Sequence, residues 1–595
     1  MGLGILEDRV LEHVPANLSG TTQYFDDPER PQYATDGAHE HLKCDRSGPV
    51  PIVLVPQPTD DPNDPLNWPL WRRDLITLVL SITSVFATAL GPILAADTVL
   101  LVSTLKDVTF VKASLLTGYF LLGCGASAFL FVPSSRIWGK RHLFVLGTIL
   151  LIVTSIWTAA SGNKSYTNFL WSRIFQGVAA APFESLVNAA VGDLYFVHER
   201  GKRMAFTNLA VFGGAFFTPI LVGKISNDMG WQWTFWFVAI FSGVCLPAVY
   251  LFCPETAYRR DPTPRFSATK KDDDDAPQKD RGLDQEQDQE LKQHPAAPSH
   301  QTSTDSTTAP KDEEHIHTAT EAPASTTGAP TTTTTTPPKA TFLQSLALFN
   351  GRKSSDSFWK LTLRPLPLLL HPAFLWACLI QGLLIGWTVF IGVLMAFFFI
   401  SVPLWWDEVQ TGYAYTGAFV GALIGFAVAG GLSDWSARLM TKWNGGVYEP
   451  EFRLVLVIPQ MVLGCAGLYG FGITLDGMLY GKYHYAVPLT FFGLEVAGMV
   501  IGAVAGSLYI VDAYRDIVIE GFTAMIIFKN FFSFALTFKA WPWLIQSSVK
   551  AAKIFNALGS VQLVVCLLTI PLYIYGKRLR SFSYRHDILE LCHLR

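Results

Sequence analysis

Apolar runs long enough to cross a bilayer alternate with short polar loops along most of this chain, and a spanning helix needs roughly 20 such residues. Twelve runs meet that measure. Six lie at 74–102, 113–132, 142–161, 168–191, 205–225 and 233–253, and six more at 373–401, 411–432, 454–474, 487–511, 521–540 and 554–576. The pattern predicts an all-α integral membrane protein with twelve transmembrane helices in two six-helix bundles. Between the two sets, about 256–340, stand "KKDDDD", "QEQDQE" and "STTGAPTTTTTTPPKA". Such a segment cannot bury enough apolar surface to fold. The expected division is a tail at 1–72, a bundle at 73–255, a mostly disordered linker at 256–365, a bundle at 366–577 and a tail at 578–595.

Orientation follows from basic residues, which favour the cytosolic side in short loops. The loops "SSRIWGKRH", "VHERGKR" and "SARLMTKW" and the tail "GKRLRSFSYRH" carry Lys/Arg clusters, whereas "ASGNKSY", "PLWWDEVQ" and "TLDGMLYGKYH" carry one or none. Both termini and the linker are therefore expected in the cytosol. No basic-then-apolar leader precedes the first run, which is expected to act as the insertion signal.

Composition narrows the function classes. Half the residues are hydrophobic and only 16% are charged, too apolar for a soluble protein of this length. A net charge of −3 gives no footing for nucleic acid. The eight cysteines include no C-x-x-C pair, so neither a disulfide framework nor a zinc site is indicated. There is no H-E-x-x-H, G-x-S-x-G or Walker loop, which argues against a membrane enzyme and an ATP-driven pump. No cofactor or metal is expected.

A charge at the bilayer centre costs at least ~2.5–3.5 kcal/mol, so charges inside spans should face protein or water. They are Asp97 in the first span, Arg173 and Glu184 in the fourth, Glu495 in the tenth and Lys529 in the eleventh. The third, sixth, ninth and twelfth spans have none and are expected to face lipid. At 100° per residue, Arg173, Gly177, Ala180, Glu184 and Asn188 share one stripe. Arg173 and Glu184 lie roughly 16 Å apart along the axis and cannot pair with each other. Glu184, Glu495, Asp97, Arg173, Asn188 and Lys529 are the candidates for proton or substrate binding. Each has a plainer alternative, a hydrogen-bonded lock between helices.

The motifs resemble those of the major facilitator superfamily. "RIFQG" matches R-x-x-Q-G of that family's fourth helix. "GGLSDWSAR" places Gly430, Leu432, Asp434 and Arg438 on the loop motif G-x-L-x-D-x-x-x-R. The equivalent loop of the first half, "VPSSRIWGKR", keeps Gly139, Lys140 and Arg141 but has Val132 for the first Gly and Arg136 for the Asp. "GGAFFTPILVG", with Gly214, Pro219 and Gly223, is similar to the antiporter motif, and "CPET" matches a common ending of the sixth helix. "APFESL", "GDLYFVHERGKR", "GWQWTFWF", "YEPEFRL" and "FKNFFSF" resemble the fungal twelve-spanner drug:proton antiporters, including their organic-cation and polyamine carriers.

That resemblance implies proton-coupled efflux of a small organic solute, in the bilayer, by a monomer, with the plasma membrane as the usual location. It implies gating roles for Arg136, Gly139, Lys140, Arg141, Gly430, Asp434 and Arg438. Asp193, Glu199, Arg200 and Arg203 are expected to brace the loop between the fourth and fifth spans. Two alternatives stay open: an importer of polyamine, amino acid or other nutrient, and a non-transporting sensor or scaffold. Asn163 heads an N-x-S sequon in a predicted outer loop and is a glycosylation candidate.

Overall fold

The computed structural model describes residues 3–6, 20–23, 43–45, 52–54, 56–105, 108–161, 165–258, 339–400, 403–547 and 550–594. Among the described residues, twelve helices make up the body of the two halves. We label them α1 (Leu70–Ala89), α2 (Phe110–Trp138), α3 (Arg141–Ser161), α4 (Tyr166–Leu194), α5 (Val197–Met229) and α6 (Trp231–Phe252). The second half has α7 (Pro372–Ile400), α8 (Thr416–Trp443), α9 (Val457–Leu479), α10 (Ala486–Ala513), α11 (Val518–Gln546) and α12 (Ala551–Leu567). Among the described residues, eleven helical stretches are long and apolar enough to cross a membrane unaided. They correspond to α2–α12, each closing its backbone hydrogen bonds internally, as a lipid environment demands.

The twelfth stretch, the first along the chain, is interrupted. The run at 74–102 is not one helix: α1 ends at Ala89, a 3₁₀ turn covers Pro92–Leu94, and a short helix Thr98–Thr104 follows. Pro92 has no N–H to continue the ladder, which explains the break. α8 is entered through a separate short helix, Glu408–Ala414, and α12 passes into a further helix, Thr569–Arg585, with Pro571 in its first turn.

The N-terminal segment meets the last helix: Leu6 N donates to Ile574 O, and Thr21 and Arg580 share a hydrogen bond. We call this the termini end and the other the far end. Two short antiparallel ladders lie among the described residues, Thr22–Gln23 with Val447–Tyr448 and Cys44–Asp45 with Ile52–Val53.

The halves meet along two seams, α2 with α11 and α5 with α8 and its entry helix. Close approach on them needs small residues. A Cβ on Gly223 would stand 2.5 Å from Glu408 O, and one on Gly412 the same distance from Pro219 O. α10 is buried along nearly its whole length. The helices whose interiors were expected to face lipid expose Val153 (α3), Val244 (α6), Val462 (α9) and Val564 (α12), but exposure is not confined to them. Leu221 of α5 and Ile424 of α8 are exposed too.

Candidate functional site

A cavity of about 160 Å³ lies between the halves. Its walls are largely apolar, with Phe120, Phe212 and Phe216 from the first half and Ile385, Val389 and Met499 from the second. Two charged residues line it, Glu184 from α4 and Lys529 from α11. They form an ion pair, so one half supplies the acid and the other the base. The Glu184 carboxylate also accepts from Cys124 Sγ at 2.7 Å and Asn530 Nδ2 at 3.1 Å. Pro182, inside α4, sits half a turn before the carboxylate. A smaller cavity continues toward the termini end, lined by Glu184, Asn188, Phe522 and Lys529. A third, lined by Asn188, Asp193, Arg200 and Phe522, together with Pro56 of the N-terminal segment, lies beyond it.

The other candidates sit differently. Glu495 is fully buried inside the second half, with both carboxylate oxygens on Thr388 Oγ1 at 2.8 and 3.0 Å. Thr388 also bonds Leu384 O at 2.9 Å and lines the cavity, so Glu495 stands one hydroxyl behind the wall. Asp97 is fully buried between the 3₁₀ turn and the short helix after α1, and neither of its oxygens has a hydrogen-bond partner. Ser226 of α5 stands beside it without a hydrogen bond of ordinary geometry. Its sequence neighbours Ala95 and Thr98 line the cavity, but Asp97 does not.

Arg173 does not line the cavity but stands behind its wall, with its guanidinium over the ring of Phe120. Its guanidinium donates to the carbonyls of Leu116 (3.2 Å) and Leu90 (2.7 Å) and to Gln176 Oε1 (2.7 Å), while Gln176 reaches Thr158. Gly177 completes this lock, for a Cβ there would be 2.0 Å from Phe120 O. The predicted stripe therefore splits: Arg173 and Gly177 fasten α4 to α2, and Ala180, Glu184 and Asn188 border the cavities. Asn188 also ties α4 to α5, accepting from Thr207 at 2.8 Å and donating to Asn208 at 3.3 Å.

At the termini end the loop residues form a bracing network. Gly139 ends α2 at φ +94°, and a side chain there would strike Glu255. The Glu255 carboxylate accepts from the backbone N–H of Lys140 (2.9 Å) and Arg141 (3.1 Å), capping α3 from the "CPET" string. The Arg141 side chain reaches Tyr250 O at 2.7 Å and Ser345 O. Lys140 pairs with Asp193 at 2.5 Å, Glu199 with Arg73 at 3.1 Å and Arg203 with Asp74 at 3.0 Å; Arg200 donates to Gly192 O at 2.8 Å.

Arg136 and Asp434, expected at equivalent places in the two halves, do not meet each other. Arg136 pairs with Glu520 in the first turn of α11 at 2.5 Å. Asp434 lies against Gly201 in the first turns of α5, where a Cβ would be 2.4 Å from Oδ1, and 3.6 Å from Arg453. Gly430 packs near Ala205, and Arg438 lines a surface pocket. Of the antiporter-like motif, Gly214 packs on Val85 of α1, while Pro219 and Gly223 close on Gly412 and Glu408 at the far end. Asn163 lies outside the described residues.

Sequence reasoning missed Glu520, Gly201, Asn530 and Cys124. Each acts on a residue remote in sequence, and Lys529 is 345 positions from Glu184.

Residues 75–516 match the family model described as Major Facilitator Superfamily. The chain belongs to the Major Facilitator Superfamily. It is a transporter-family, multi-pass membrane protein of the all-α facilitator fold. Protein HOL1 of Saccharomyces cerevisiae is 26% identical over 570 residues, covering 91% of this chain and 92% of that protein. Efflux pump radE of Floropilus chiversii is 23% identical over 531 residues, covering 88% and 84%. Among solved structures, a D-xylose-proton symporter shares the fold at 13% identity and a TM-score of 0.50, covering 83% of this chain and 97% of that one.

Proposed function

We propose that this facilitator exports a small organic solute in exchange for protons, by rocking its halves about the central cavity. The observation that carries the reading is the Glu184–Lys529 pair, which bridges the halves inside an otherwise apolar cavity. A buried ion pair that loses one partner costs ~3–5 kcal/mol, because the remaining charge is left uncompensated. Protonating Glu184, or offering it a cationic solute, would remove Lys529's partner and so alter the balance between closed and open arrangements. The aromatic walls suit an apolar or singly cationic solute.

Export is favoured over import by the description of one relative as an efflux pump. In this reading the termini end, with its basic loops and both tails, faces the cytosol and the membrane is the plasma membrane. Asp97 and Glu495 are second-rank proton carriers. Arg136–Glu520 and Asp434 brace the cytosolic side, while the Gly214–Pro219–Gly223 motif seals the outer side. Reconstituting Glu184→Gln in liposomes with an imposed pH gradient tests the reading. Loss of gradient-driven flux of organic cations and fungal metabolites is expected, and unchanged coupled flux removes Glu184 from the mechanism.

A further inference from the structure

We propose that the pocket where α5 meets α8 at the termini end binds the anionic headgroup of a membrane phospholipid. The pocket has a volume of about 420 Å³ and is lined by Lys202 of α5 and by Arg438 and Lys442 of α8. All three are exposed, and none has an ion-pair partner among the described residues. The acid present, Asp434, is turned to Arg453 at 3.6 Å and to Gly201, which leaves the three cations in excess. Gly430 and Gly431 leave the floor bare, so a bulky phosphate can approach the backbone.

The rest of the lining argues for a lipid over a soluble anion. Trp435 and Leu439 share the pocket with the cations, and Trp435 and Trp443 stand 60% and 64% exposed on the last turns of α8. Exposed tryptophans at the end of a spanning helix mark the depth of the headgroups. Basic pockets between spanning helices on the cytosolic side are the type of site that takes anionic headgroups. Cations from α5 and α8 come from different halves, so one headgroup would bridge the seam. On the alternating-access reading above, that bridge favours a closed termini end.

The test measures binding, independently of transport. The full chain is reconstituted in phosphatidylcholine vesicles doped with spin-labelled phosphatidylserine, and the immobilised fraction is read by electron paramagnetic resonance. Lys202→Gln/Arg438→Gln/Lys442→Gln is expected to weaken retention by about fivefold for each cation removed, whereas Lys442→Arg keeps it. Spin-labelled phosphatidylcholine should bind both proteins alike, which checks that the variant is folded. Equal phosphatidylserine retention in the triple variant overturns the proposal. Displacement of the labelled lipid by inorganic phosphate also overturns it, in favour of a soluble anion. Neither result touches the transport reading, which stands or falls on Glu184.

Discussion

Glu184 and Glu495 are carboxylates on the fourth helix of their respective halves, yet they live in different chemical worlds. Glu184 borders two cavities and reaches across the seam to Lys529, with Asn530 and Cys124 completing its shell. Glu495 is sealed within its own half, and its hydrogen-bond partner is a single hydroxyl. That hydroxyl has one proton to give and is already within reach of Leu384 O, so it cannot serve both acceptors at once. Residue type alone does not make an intramembrane acid a switch. What distinguishes Glu184 is a counter-charge on the other moving body.

The contrast can be broken in several ways. The largest effect is expected at the pair itself. Glu184→Gln should lower coupled transport by about tenfold or more, since ~1.4 kcal/mol, well under the cost of breaking a buried pair, already gives that factor. Thermal unfolding in detergent should show Glu184→Gln less stable than the double variant Glu184→Gln/Lys529→Gln, in which no charge is stranded. A double variant no more stable than the single one would mean that the pair is not a unit.

The latches offer the next comparison, because the two halves use opposite charges at matching places. Arg136→Glu should weaken closure at the termini end by setting two acids together, and adding Glu520→Arg should restore it only in part, because Arg364 lies 3.4 Å from Glu520 and would then face a like charge. The coupling in that cycle is expected to be on the order of 1 kcal/mol, read from transport rates. A smaller effect is expected at Glu495→Gln, which keeps a group able to share a hydrogen bond with Thr388. Its coupled flux should fall by less than that of Glu184→Gln, and an equal loss would erase the distinction drawn between the two acids.

The mildest effect is a pH dependence outside the spans. Burial alone would push the Glu449 carboxyl up, but Arg580, Thr21 and Lys577 outweigh it and hold it below the ordinary glutamate value. A depressed carboxyl contributes stability above the unfolded-state value and loses it as pH falls through the folded one. Acid titration of unfolding should therefore show a stability loss that Glu449→Gln lacks.

Much of the fold was legible because apolar runs of helical length leave few other options in a membrane. Their ends were not: the first run hid a break at Gly91–Pro92, and the eighth and twelfth helices carry separate segments that hydropathy merges. The buried charges were visible as exceptions to the apolar pattern, and Glu184 and Lys529 were both singled out. Their partnership was not visible, because nothing local joins positions on helices from different halves. Arg173 shares a helical stripe with Glu184, but the upper part of that stripe packs against α2, which spacing along one helix does not reveal. The loop motif predicted a charged latch, and the reversal at Arg136 found its answer only in Glu520, which no local pattern marks.

In this mechanism the Glu184 site is part of a passage that water and solute reach in turn. Cys124 reports on it directly, since its Sγ both lines the cavity and bonds to Glu184. Its modification by a small, membrane-impermeant thiol reagent can be read by peptide mass spectrometry in sealed vesicles that are actively transporting. Labelling should grow with turnover and be suppressed by a transported solute. Steady transport with Cys124 untouched from either face would contradict this mechanism.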